Sequence, residues 1–185
     1  MPQHKPIRMP LAGTVGDTFF QRQEDDYSCG PASMTTVANI YGVEATYDAI
    51  RIALDPDPMI GTTVEKMAAL SEFLMPMTGA GERTYTGGVA IANMVQGGEG
   101  HYVVFLCKQG DDVIYYDPYE HELVIDDINN IEWHSGDGVL RNWTVNFAPL
   151  EDNSFARWMD MAKPKAPDVS NAPTTPKPPA PPPIP

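Results

Sequence analysis

Apolar positions recur with a helical period in the first half of the chain and alternate, or run together, in the second. Met34, Val37, Ala38 and Tyr41 fall at i, i+3, i+4 and i+7, which predicts a helix over residues 30–41 with one apolar face and Gly42 as its stop. A second helical pattern covers residues 47–54 and ends ahead of Asp55-Pro56-Asp57-Pro58. A third begins at Thr62 with Glu65 three residues on, a capping-box pairing. It presents Val64, Met67, Ala68, Ser71 and Leu74 and closes at Pro76. Residues 18–22 read as a short strand, residues 78–88 as a glycine-rich loop and residues 89–95 as a short helix. From His101 onward the pattern is that of strands, over residues 101–107, 113–117, 123–125 and 142–147. Helices first and an antiparallel sheet after them give an expected α+β fold.

Composition changes that picture at the ends. Ten of the 19 prolines lie in the last 22 residues, a segment that can form neither a helix nor a sheet ladder and has little to bury. The expected division is therefore an irregular lead-in over residues 1–17, a folded domain over 18–150, a short helix within 151–162 and a disordered proline-rich tail over 163–185. The tail reads as a semi-rigid spacer, with a proline-recognition domain as a possible partner.

At 185 residues the chain suits one compact domain. A net charge of −13 argues against a nucleic-acid partner, which needs basic patches, and against an anionic membrane surface. No apolar run is long enough to span a bilayer, and residues 1–10 do not read as a secretory signal. Two cysteines make no disulfide framework, so a reducing cytosol is the simplest location; delivery by a specialised secretion system or in a virus particle fits equally.

The chemistry concentrates in Gln23 to Ser33, Gln-Glu-Asp-Asp-Tyr-Ser-Cys-Gly-Pro-Ala-Ser. Pro31 suits the first turn of a helix, which puts Cys29 at the positive end of the helix dipole, where the thiolate is favoured. Gly-His-Tyr-Val-Val-Phe, from Gly100, offers His101 as a base. Tyr-Tyr-Asp-Pro, from Tyr115, offers Asp117 as an orienting carboxylate. A three-residue loop at Lys108-Gln109-Gly110 would pair Cys107 with Asp111 and set His101 directly opposite Asp117. Asn93 and Asn142 are the substitutes should Asp117 not be the partner. Cys107, six residues along the strand from His101, would be about 20 Å away and reads as a buried core thiol. His121 and His134 read as solvent-facing and His4 as part of the lead-in. No Cys or His pair has zinc-ligand spacing, and the glycine pairs lack the Lys-Ser/Thr of a phosphate loop.

From residue 19 to residue 147 this order of motifs resembles the papain-like cysteine peptidases, specifically the bacterial branch that cuts double-glycine leader peptides in bacteriocin exporters. The resemblance implies a papain-like fold, an N-terminal helical half packed on a C-terminal antiparallel sheet. It also implies Cys29 as nucleophile, His101 as base, Asp117 as orienter, Gln23 as oxyanion donor, a peptide or protein substrate, and no cofactor. Ser28 stands where that branch usually has Asp, and the 185 residues carry no transporter. The same triad supports deamidation, transglutamination or other acyl transfer, and the same scaffold supports a purely binding or structural role.

Overall fold

A computed structural model describes residues 5–11, 20–82, 85, 87–134 and 143–162. In chain order the elements are β1 (Ile7–Pro10), α1 (Cys29–Ile40), α2 (Tyr47–Leu54), α3 (Val64–Leu74), β2 (Met77–Glu82), β3 (Ala90–Gln96), β4 (Glu99–Gln109), β5 (Asp112–Asp117), β6 (Glu122–Asp127), β7 (Trp143–Phe147) and α4 (Phe155–Ala162). The strands form one seven-stranded antiparallel sheet in the order β1-β6-β5-β4-β3-β7-β2. With three helices ahead of six of the seven strands, the fold is α+β and papain-like.

Alternation along the central strands divides the core in two. Ile91, Val104, Leu106, Ile114, Tyr116 and Val145 belong to the larger cluster, which includes Met34, Val37 and Ala38 of α1, Met67 of α3 and Trp158 of α4. Ala92, Val103, Phe105, Val113, Tyr115 and Val124 belong to the second, with Tyr85 and Ile131. α1 is also tied to β4 by a hydrogen bond from Ser33 Oγ to the Tyr102 carbonyl at 3.1 Å. Burial on both faces makes the middle strands apolar without interruption, and this explains one misreading. Of residues 89–95, expected as a helix, 90–95 lie in β3 between β4 and β7, because a short apolar run has no period that separates a buried strand from a buried helix.

Other boundaries also differ from expectation. The glycine-rich stretch read as a loop contains β2, an edge strand whose pairing with β7 shifts between Met77 and Gly79. The lead-in contains β1, which pairs with β6. Residues 20–22 are not strand, and residues 18 and 19 lie outside the described residues. α3 is capped by Thr63 rather than Thr62, its hydroxyl accepting from Lys66 N at 3.4 Å. α4 falls within residues 151–162 and docks on the core: Trp158 is fully buried, and its Nε1 donates to Asn153 Oδ1 at 2.8 Å. His4, Asn142 and the tail over 163–185 lie outside the described residues. Among the described residues, no helix is long and apolar enough to cross a membrane.

Candidate active site

Cys29 is the first residue of α1. The chain reaches it through a tight turn. Asp25 Oδ1 accepts from Tyr27 N at 3.2 Å, the Asp25 carboxylate pairs with Arg51 of α2, and Ser28 O accepts from Ala32 N at 3.1 Å to start the helix. Ser28 makes no side-chain cap, so no hydroxyl competes for the first-turn N–H groups beside the thiol. Gly30 is required by close approach: a Cβ there would lie 2.7 Å from Thr62 Oγ1 and 2.9 Å from Thr62 Cβ. The absent side chain lets the 60–65 segment lie against the start of the helix.

His101 comes from β4 and Asp117 from the end of β5. The β4–β5 turn is shorter than expected. Gln109 pairs with Asp112, leaving Gly110 and Asp111 as a two-residue loop, and Gly110 at φ +64° fills the position where such hairpins favour glycine. Cys107 therefore pairs with Ile114, not Asp111. Carried on unbroken, that register would set Asp117 opposite Val104, on the face away from His101. A bulge between Phe105 and Cys107 takes up one residue, and Val104 pairs with Tyr116 instead. Asp117 then falls across from Val103, on the same face as His101 and one diagonal step away, within side-chain reach. His101 Nε2 and Asp117 Oδ1 are 2.9 Å apart. Asp117 Oδ1 also accepts from Tyr119 N at 2.9 Å.

This bond leaves Nδ1 of the ring, and Cys29 lines the same hollow as His101 and acts on its charge. Burial pushes the His101 pKa down. Asp117, which bonds the ring and lends its charge, and Cys29 beside it outweigh this and raise the value from 6.5 to about 9. Burial likewise works against the Asp117 carboxylate, but His101 and the backbone donors at Tyr119 and Glu120 hold its pKa below the usual range. Cys107 has no such partners; burial alone pushes its thiol up to about 12. Both cysteines are free thiols.

Gln23 is buried beside the same group. Its backbone N donates to Pro118 O at 3.0 Å, next to Asp117, and its Nε2 donates to Asp25 O at 2.6 Å. An amide nitrogen has two hydrogens, so one N–H remains after that bond. The four residues singled out from the sequence, Gln23, Cys29, His101 and Asp117, are thus brought together.

Cys29 lies where two hollows meet. A cleft of about 610 Å³ is lined by Cys29, the 60–65 segment, Gly81, Asn93, Gly100, Tyr102, His134 and Trp143. A smaller hollow of about 310 Å³ is lined by Gln23, Asp26, Cys29, residues 96, 97, 99 and 100, His101 and Tyr119. The sequence reading missed most of these walls, which carry no motif. It also placed two histidines wrongly. His134 is half-buried and lines the larger cleft, its N donating to Asn93 O at 2.9 Å. His121 is half-buried, with Nδ1 2.9 Å from Tyr116 Oη, which also donates to Gln21 O. Gly100 is held bare by those walls, since a Cβ would lie 2.9 Å from His134 Nδ1.

A thiol at a helix N-terminus facing a histidine and a carboxylate on an antiparallel sheet is the architecture of the papain-like cysteine hydrolases. Within that class, the sequence pattern of the Peptidase C39 family matches residues 18–132, more than half of the chain, and the chain belongs to that family. The protein is a cysteine peptidase. Among solved structures it is similar to the peptidase domain of Streptococcus ComA, described as a bifunctional ABC transporter involved in a quorum-sensing pathway. The TM-score is 0.57 and the identity 19%, over 70% of this chain and 97% of that one; at that identity the likeness is one of fold. No curated protein matches the sequence.

Proposed function

We propose that this protein hydrolyses peptide bonds with Cys29 as nucleophile, His101 as base and then acid, Asp117 as orienter and Gln23 as oxyanion donor. The observation that carries the reading is the meeting of Cys29, His101 and Gln23 in one hollow, with His101 bonded to Asp117 behind it. His101 is protonated up to about pH 9, and the nucleophile is the Cys29 thiolate that a neighbouring cation favours. The thiolate attacks the scissile carbonyl. The developing oxyanion accepts from the Cys29 backbone N–H and from the Gln23 N–H left over by Asp25, donors worth about 3–4 kcal/mol each in comparable sites. His101 passes its proton to the departing amine, then takes one from the water that cleaves the thioester.

That proton transfer assigns the two hollows. The leaving amine must lie beside His101, so the hollow lined by His101 takes the leaving-group side. The larger cleft, lined by Cys29 but not His101, takes the acyl side. The test is a peptide library incubated with the native protein and with Cys29→Ala, read by mass. Paired fragments formed only by the native protein support the reading. Intact peptides gaining about one mass unit would make the reaction deamidation, and no Cys29-dependent product would refute it.

A further inference from the structure

The charges around the candidate triad do not end at Asp117. In the β5–β6 register Asp117 is paired with Glu122. Directly opposed residues share a face, with Cβ atoms about 4.5–5.5 Å apart. Both are buried, at 4% and 7% exposure. Two carboxylates so close in a low dielectric resist ionising together unless a cation intervenes. The cation is Arg8. It lies on β1, where its partner across the ladder is Val124, two residues from Glu122 on the same face, and its guanidinium pairs with Glu122 Oε1. Burial opposes the Arg8 charge, but Glu122, Tyr115 and Asp117 together outweigh it.

We propose that Arg8 is a positioning residue for the reaction. By neutralising Glu122 it leaves Asp117 as the uncompensated carboxylate facing His101, so the edge strand β1 tunes the triad although none of its residues lines either hollow. This rests on the reading of Asp117 as orienter. The groups that face the pair are Cys29 from α1, His101 from β4, Tyr115 and Tyr116 from β5, Glu122 from β6 and Arg8 from β1. Asp26 and Glu99 share the smaller hollow with His101, and Arg22 acts on Tyr116 and His121. On the β1 side, Arg8 is the cation bonded to this face.

The experiment compares the full chain with Arg8→Gln, Glu122→Gln and the double variant. It reads the pH dependence of Cys29 alkylation by iodoacetamide and the carboxyl-carbon NMR titration of Asp117. Failure of the native protein to alkylate Cys29 in preference to Cys107 would refute the triad reading itself. Given that preference, Arg8→Gln raises the Asp117 titration by about one pH unit, and the acid limb of the alkylation profile moves up with it. The double variant returns both to their native positions, because without the Glu122 charge nothing needs neutralising. A uniform loss of rate at every pH, an unmoved acid limb, or a double variant no better than Arg8→Gln each overturns the proposal. Should Arg8→Gln not fold, Glu122→Gln decides: with Arg8 retained, the Asp117 titration moves down, and an unmoved titration overturns it.

Discussion

Replacing Asp117 by Asn tests the link between the buried pair and both stability and chemistry. The rise of the His101 pKa from 6.5 to about 9 corresponds to about 3 kcal/mol of preference for the imidazolium in the fold. Burial acts against this, so the whole of it comes from Asp117 and Cys29. A pKa raised by folding gives stability that is fully present below pH 6.5 and is lost as pH climbs through about 9. Asp117 has a lowered pKa, so at the acid end the same pair holds above the ordinary carboxylate value of 3.8 and fails as pH falls through the folded value. Asn keeps an acceptor oxygen on the ring, a neutral bond worth about 1 kcal/mol, and removes the charge. The expected loss near pH 6.5 is about 2 kcal/mol, or roughly 4–8 °C in Tm for a domain of this size. The His101 pKa falls by about 1–2 units, since desolvation is then opposed by Cys29 alone. The assays are ring-nitrogen NMR titration of His101 and calorimetry at pH 6.5 and pH 10. A His101 pKa still near 9, or a Tm gap equally wide at both pH values, would refute the reasoning.

Other outcomes follow from particular contacts. Iodoacetamide at pH 6 alkylates Cys29 and spares Cys107, whose thiol is pushed up to about 12; peptide mapping that finds Cys107 labelled first contradicts the assignment. Trp158→Ala costs about 3–5 kcal/mol in denaturant unfolding, because the ring is fully buried and its N–H is bonded to Asn153; a loss under about 1 kcal/mol would show α4 to be an appendage. Gly30→Ala forces the 60–65 segment off α1 and lowers stability by about 1–3 kcal/mol together with turnover; native-like values in unfolding and peptide cleavage would mean that the segment moves freely. A chain ending at Ala162 is expected to melt within a few degrees of full length, because the removed sequence is rich in proline and poor in apolar side chains; loss of a cooperative transition would show that the removed segment contributes to the fold.

What the sequence discloses here depends on whether the signal is local. The helices are legible because each buries one face: α2 spans the residues its pattern marks, stopped by Asp55 in a left-handed conformation at φ 44°. Cys29 is legible because Gly30-Pro31 marks a helix start. β3 is not, because Ala90, Ile91 and Ala92 are all buried and leave no alternation to count. β2 is not, because an edge strand pairs through its backbone, and glycines serve that as well as they serve a loop. The cleft walls are illegible for the same reason. Thr62, Asn93, Trp143 and His134 line the cleft with Cys29 from four separate stretches of chain, and no local pattern tells that they meet there.

The meeting of His101 with Asp117 shows how a reading can reach the right face by the wrong route. A three-residue loop and an unbroken ladder place the two residues directly opposite each other; the protein has a two-residue loop and a bulge. Shortening the loop and adding the bulge each change the count along the strands, and together they change it by an even number, so the parity is preserved. Parity is what matters, since side chains alternate and a slip of one residue sends Asp117 to the other side of the sheet. The bulge is therefore not a defect in β4. Near the turn, Cys107 and Ile114 can face the helices and join the larger core, and beyond Leu106 the ladder is realigned so that Asp117 meets His101. One residue in the middle of β4 thus reconciles two demands, core packing at one end of the hairpin and a polar pair at the other, that a regular ladder with this turn could not meet together.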